Sequence, residues 1–531
     1  MPVVAMADAP AEEQAEFVPW DAKTEEFNDS QVVETIDCEI VVVGGGVCGV
    51  PCALTAVEEG AATVLLEMNK AGGRGPHWIG AVGSKQQIEA GCTWDRATIV
   101  NDLMWHALYR ADQRLIQLWF DKSGEMMDWY TDHLNQDGSV TVMIETAQKE
   151  TGGLHMSPPT AHVPVLGQWT VMGPNETGIN YAGEVLLGQA IEQGLDYREG
   201  YAGKELIQDE AGRVIGLYAK NAEGGVVRVN ASKGVILCTG GYVGNIEMAR
   251  QLNPIQFETS SLSGMGNPGD GIKMGVWAGA GFSDLHWWMD NDRGIPMGGI
   301  WRPGSQPWLR TDVYGNRFCN EDVPYDFGVY AGSLNPDHLW WDIYDDNFWY
   351  DLEQFGTTIC SRMFPVEGAI NSEQVMHSKE EFYDHYMAPN IEKGAMVVAD
   401  SIEELAEVMA GLDPRINVEI LKATIDRYNE LCEKGVDEDF GKLAFRMQPV
   451  NQPPYYAILQ RGVSICNLDG LRVNTDCQCI DDQGLPIAGL YAAGNDAGGF
   501  SGMSYPWYYG GICCGKAITF ARTAAKHAAA Q

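Results

Sequence analysis

One stretch constrains the fold more than any other: CEIVVVGGGVCGVPCALTAVEEGAATVLLE, residues 38–67. The continuous apolar run at 40–43 predicts a strand buried on both faces of a parallel sheet. Gly44, Gly46 and Gly49 then follow as G-x-G-x-x-G. In this pattern the first glycine makes the tight turn, the second lets backbone approach a pyrophosphate, and the third lets a helix pack on the sheet. The free N–H groups of that helix favour phosphate. A second apolar strand ends at Glu67, 18 residues after Gly49, where a carboxylate can bind ribose hydroxyls. Strand, glycines, helix, strand and acid in this order predict a dinucleotide-binding fold.

The chain has 531 residues, which predicts at least two domains. A net charge of −38 excludes a general nucleic-acid or anionic-membrane surface, since both need basic patches. No apolar run reaches the roughly 20 residues of a membrane span, so no integral membrane segment is expected. Thirteen cysteines, several inside apolar runs, do not read as a disulfide framework. No C-x-x-C occurs, so spacing gives an iron–sulfur cluster no support, although dispersed ligands stay open. The start, MPVVAMADAPAEEQAEF, has no basic n-region. It reads either as the remnant of a cleaved export signal or as an acidic tail, so an exported, envelope-associated or cytoplasmic location stays open.

Two later segments extend the nucleotide domain. KGVILCTGGYVGN (233–245) is an apolar strand ending in Thr239, Gly240 and Gly241. GLYAAGNDAGG (489–499) is another, carrying Gly494 and Asn495. A chain that returns twice to its nucleotide domain resembles the fumarate reductase/succinate dehydrogenase flavoprotein superfamily, which includes the 3-ketosteroid dehydrogenases. The resemblance implies an α/β fold: a Rossmann-like FAD-binding domain, discontinuous in sequence, with an inserted α+β capping domain. It implies FAD contacts at Lys70 and Gly73 in NKAGGRG, at Asp270 in the G-D-G segment, and at Ile512. His77 falls where succinate dehydrogenases tether the flavin, but the flanking GGRG departs from that pattern, so non-covalent FAD is expected. No second G-x-G-x-x-G follows a strand, so electrons are expected from a separate donor protein, a cytochrome or a flavoprotein.

The chemistry is read from what replaces arginine. A dicarboxylate needs forked, fixed positive charge. The family places one arginine shortly after G-x-R-F-x-N-E; here YGNRFCNEDVPYDF keeps the motif and has Tyr325 at that position. The C-terminal N-R-x-G-G-N becomes YYGGICCGKA, and the H-T-x-G-G segment becomes CNLDG. A fumarate or succinate enzyme is therefore not expected. RF-x-NE-x-x-PY instead resembles the ketosteroid dehydrogenases, where the tyrosine is catalytic. Their Y-P-G-P-G is loosely matched by YPWYYGGICCG, which implies carbonyl-polarising roles for Gly511 and for Tyr505 or Tyr509. Trp507 and Tyr508, with His286 at the start of the cap, are candidate substrate contacts. An aromatic wall suits a flat apolar ring with one polar handle. Among bacterial members, the chain is most like the steroid and cardiac-glycoside ene-reductases, so the expected reaction is FAD-dependent reduction of an activated C=C bond, an enone or unsaturated lactone, in a small apolar ring-containing, steroid-like substrate, by hydride transfer from flavin N5 and protonation by a tyrosine. The alternatives are a 3-ketosteroid dehydrogenase running in the oxidising direction and a flavin-binding electron-transfer subunit with a degenerate site.

The expected organisation is an acidic, disordered segment at 1–35, an FAD-binding domain at 36–290, the cap at 291–455, and a return to the FAD-binding domain at 456–531.

Overall fold

The computed structural model describes residues 17–69, 78–136, 140–145, 158–166, 178–262, 266–297, 306–355, 362–365 and 375–531. Lys70, Gly73 and His77 lie outside the described residues, as does most of the acidic start.

The first strand, Val32–Val43, is longer than the apolar run alone predicts, but only its last four residues are continuously buried. It pairs in parallel with Thr63–Glu67 on one side and with Val226–Leu237 on the other. Pro486–Ala492 adds beyond Val226–Leu237, and Asp196–Glu199 beyond Thr63–Glu67, so five strands run parallel. The strands that follow the first in sequence lie on both sides of it, which places the glycine turn at a topological switch point, where such sheets bind ligands. Three antiparallel strands complete this eight-stranded sheet: Ala202–Gln208, Val214–Lys220 and Gln478–Ile480.

The helix Gly49–Glu58 follows the turn. A Cβ at Gly49 would overlap the carbonyl oxygen of Gly44, so the helix can approach its own turn only with glycine there. Gly44 itself adopts φ +105°, with its backbone against the Cys238 carbonyl. The last helix, Ile512–Ala529, packs against Gly49–Glu58 and is buried over most of its length.

A six-stranded sheet forms the second body. Its spine is Tyr455–Asn467, which pairs with Ser260–Leu262, Trp288–Gly294, Trp340–Asp345 and Met396–Ala399. Two apolar clusters cover this sheet. One gathers helices Ile402–Leu412 and Val418–Lys434 around Trp341 and Tyr428, and the other centres on Trp308, Tyr344 and Phe348. Ser401 caps the first of these helices, accepting from the Glu404 N–H, as its sequence position predicts. A small antiparallel sheet, Ile79–Gly80, Ala161–Leu166 and Val140–Ile144, lies against the start of the last helix.

Candidate active site

The glycine turn and Glu67 meet at the ends of the first two strands. Glu67 ends its strand with its carboxylate folded onto the turn: Oε2 accepts from the Gly45 N–H at 2.7 Å, and Oε1 from the Asn69 N–H at 2.8 Å. Beside it, a Cβ at Gly46 would meet no protein atom within 4 Å. That open side, under a glycine turn and next to a carboxylate, fits a dinucleotide pyrophosphate and its ribose.

Asp496 completes the cradle, and no sequence motif announced it. It is fully buried, and its carboxylate accepts from the Thr239 N–H, from the Thr239 hydroxyl at 2.9 Å, and from the Gly241 N–H at 3.0 Å. Burial raises its pKa, and these bonds oppose the rise. Thr239 and Gly241, predicted as cofactor residues, are thus held to the C-terminal return. Gly240 stands between them with φ +90°. Lys516 acts from the last helix, donating to the Gly494 carbonyl at 2.7 Å and the Ala497 carbonyl at 3.0 Å. The Asn495 carbonyl accepts from Asn467 at 2.8 Å. Asp270 opens the helix Asp270–Trp277, but its carboxylate pairs with Lys204 at 2.6 Å, so its role in the structure is an ion pair at a helix N-terminus.

Tyr325 is the first residue of the helix Tyr325–Gly332 and is 4% exposed. Its ring packs on Trp507, with centroids 5.4 Å apart. The structure therefore joins two of the predicted site residues across 182 positions of sequence. The G-x-R-F-x-N-E motif upstream works as a brace: Arg317 pairs with Glu321 and Asp437, each at 2.8 Å, and Lys442 lies 3.3 Å from Glu321. These buried ions fix the chain just before Tyr325. Arg310, buried beneath the same helix, pairs with Asp292 and lies 3.3 Å from Asp342, so its charge is balanced inside the cap.

The remaining candidates divide. The Tyr505 N–H donates to Asp326 at 3.1 Å, beside a shorter bond from the Ser504 hydroxyl to the same oxygen. Asp326 is the neighbour of Tyr325, so one carboxylate clamps the aromatic segment to the cap helix. Ser504 also lies 3.4 Å from His106 Nε2, and the His106 ring stacks on Phe327 and meets Tyr508 edge-on, at 5.3 and 5.2 Å. Tyr508 is buried in this cluster. Tyr509 donates its hydroxyl to Asp102 at 2.8 Å, which anchors it as a structural group. At Gly511 the close approach is to the protein's own backbone: a Cβ there would lie 2.6 Å from Gly80 N, and Gly80 N donates to the Gly511 carbonyl at 2.7 Å. Ile512 follows directly as the first residue of the last helix. His286 bonds to Asp469 at 2.9 Å, and Asp469 also accepts from Tyr242 at 2.9 Å.

This fold, with its glycine turn and its aromatic pair of Tyr325 and Trp507, is that of a two-domain flavoprotein. Comparison gives the same class: the FAD binding domain family matches residues 39–505, and the chain belongs to that family. It is 28% identical to the vinyl phenol reductase of Lactiplantibacillus plantarum over 92% of this chain and 96% of that protein. It is 27% identical to the digoxin reductase of Eggerthella lenta, over 96% and 89% of the two chains. A cytochrome-type fumarate reductase of Shewanella frigidimarina is 25% identical, over 93% and 77%. Among solved structures, the Rhodococcus jostii 3-ketosteroid-Δ4-(5α)-dehydrogenase shares the fold with a TM-score of 0.71 at 20% identity, over 95% of this chain and 99% of that one. The open form of a flavocytochrome c3 fumarate reductase gives 0.67 at 23% identity, over 98% and 84%. The chain is an FAD-dependent oxidoreductase. Among the described residues, no helix is long and apolar enough to cross a membrane, and no group of three or more His, Cys, Asp or Glu side chains could hold a metal ion.

Three outcomes follow from this geometry. Gly49→Ala collides with the Gly44 carbonyl, so it should lower stability by about 3 kcal/mol in denaturant titration and abolish flavin retention. Gly46→Ala should leave apoprotein stability unchanged and still lose the flavin, because its methyl enters only the open side of the turn. Burial pushes the Asp326 carboxyl up to about 7, above its unfolded value. Between about pH 4 and 7 the folded state therefore binds the extra proton, and stability falls as pH rises through that window. Thermal unfolding of the wild type and Asp326→Asn across this range should show the slope flattened in the variant.

Proposed function

We propose that this chain reduces an activated C=C bond conjugated to a ring, with Tyr325 as the proton donor. The observation that carries this reading is the buried contact of Tyr325 with Trp507, at a position where dicarboxylate reductases need arginine. An aromatic pair offers a flat apolar surface and one hydroxyl. It offers no fork for a carboxylate. The relatives named for vinyl phenol and for digoxin support a ring-bearing substrate, and the ketosteroid dehydrogenase fold suits one of similar shape.

Bound FAD supplies the hydride. The chain's residues do the rest: Trp507 and Tyr508 hold the ring and exclude water, while Tyr325 delivers a proton to the carbon beside the activating group. An unperturbed tyrosine, with a pKa of about 10, suits protonation of an enolate-like carbon. Asp326 keeps this donor in register with the wall by binding Ser504 and Tyr505. Electrons reach the site from a separate donor protein.

The test is anaerobic. Protein reduced with dithionite is mixed with 4-vinylphenol, steroid enones and unsaturated lactones, and reoxidation is followed by flavin absorbance. A ring-bearing alkene should reoxidise the wild type, and Tyr325→Phe should slow the step by about a hundredfold or more with little change in KM. Equal rates in the variant would remove Tyr325 from the chemistry. Bleaching of the oxidised protein by a saturated ring ketone would reverse the assigned direction.

A further inference from the structure

We propose that Lys516 is a cofactor-binding residue, a buried cation behind the glycine turn whose charge holds the pyrophosphate of the dinucleotide. Lys516 lies one turn into the helix Ile512–Ala529 and is 8% exposed. An ammonium carries three N–H donors. Two of them go to neutral oxygens, the Gly494 carbonyl at 2.7 Å and the Ala497 carbonyl at 3.0 Å. Each of the other buried lysines and arginines among the described residues, Arg310, Arg362, Lys442, Arg446 and Arg522, pairs with a carboxylate. Lys516 alone among them has none. Asp496, in the loop that Lys516 binds, spends its carboxylate on Thr239 and Gly241 and feels the Lys516 charge only through space. The other groups facing Lys516 are the thiols of Cys48, Cys466, Cys477 and Cys513. A buried charge is costly unless an opposite charge meets it, so the place calls for an anion that the chain itself does not supply.

The position of Lys516 says which anion. Its partner Gly494 abuts Cys48: a Cβ at Gly494 would lie 3.2 Å from both Cβ and Sγ of that cysteine. Cys48 is the N-cap of the helix Gly49–Glu58, and its thiol reaches the Ala517 carbonyl at 3.6 Å. The residue after Lys516 therefore touches the end of the helix that follows the glycine turn. The Cys48 side chain makes no capping bond there, so the first N–H groups of the helix are left for another acceptor. Beside them, the turn is open at Gly46, where a Cβ would meet no protein atom within 4 Å. An uncapped helix N-terminus, an open glycine turn and a buried ammonium thus converge, and all three favour negative charge. Coulomb energy is large across the low-dielectric interior, so the ammonium can act on a phosphate from behind the loop. Burial lowers the Lys516 pKa, and an anion beside it opposes that shift. The inference rests on the chain's membership of the FAD binding domain family and not on the ene-reductase reading.

The test separates the charge of Lys516 from its hold on the loop. Apoprotein prepared from the full-length holoprotein is titrated with FAD and with riboflavin, which has no phosphate, and binding is read from flavin fluorescence. Lys516→Gln keeps N–H donors for the two carbonyls and removes the charge, whereas Lys516→Arg keeps the charge. Lys516→Gln should weaken FAD binding by about tenfold or more and leave riboflavin binding unchanged, and Lys516→Arg should retain FAD. Unchanged FAD affinity in Lys516→Gln, or equal weakening of FAD and riboflavin, would overturn the proposal and leave Lys516 as a support for the loop. The wild type gives a reading that needs no variant to fold: ADP should displace FAD and adenosine should not. Equal displacement by the two, or none by ADP, would also overturn it.

Discussion

The site depends on one buried carboxylate. Asp496 holds the loop after Val226–Leu237 against the C-terminal return of the chain, through bonds to Thr239 and Gly241 whose partners are more than 250 residues apart in sequence. A buried charge is costly unless hydrogen-bonded, and an unpaired one costs more than the bonds return. Asp496 is saturated by backbone and hydroxyl donors, and Lys516 fixes the same turn from its other side by binding the Gly494 and Ala497 carbonyls. Together they set the last helix beside the helix that follows the glycine turn. The aromatic segment enters the site because this return is held.

The cap contributes through the same kind of device. Arg317, Glu321, Asp437 and Lys442 form a buried network with opposite charges matched. Breaking one partner of such a network leaves an uncompensated buried ion, so the network holds this segment without touching substrate. The network ends where Tyr325 begins. Asp326 then carries the order across the boundary between cap and C-terminal segment, so the position of the proposed donor is set by two successive polar anchors.

Much of the nucleotide half was legible in the sequence because its rules are local. The glycine turn, the acid ending the second strand and the apolar strands at 226–237 and 486–492 each follow from spacing within a few residues. Tyr325 and Trp507 were each singled out from separate motifs, and their contact appears only in the folded chain. Asp496 and Asp326 were not legible, because each is defined by a partner far away in sequence. Two predicted site residues also make contacts that local pattern does not show. The Tyr509 hydroxyl binds Asp102, and the missing side chain of Gly511 makes room for Gly80. In both cases an aromatic or a glycine near a predicted site meets a packing demand that only the folded chain reveals.

The central claim is that a site with Tyr325 at the arginine position, packed on Trp507, serves a ring-bearing alkene rather than a dicarboxylate. The most direct measurement is kcat/KM for fumarate and for 4-vinylphenol on one preparation, with reduced viologen as electron donor. The account predicts turnover of the ring-bearing alkene and at least about a hundredfold lower efficiency with fumarate, because Tyr325 stands where a forked cation would hold a carboxylate. Fumarate turnover equal to or better than that of the ring-bearing alkene would contradict it.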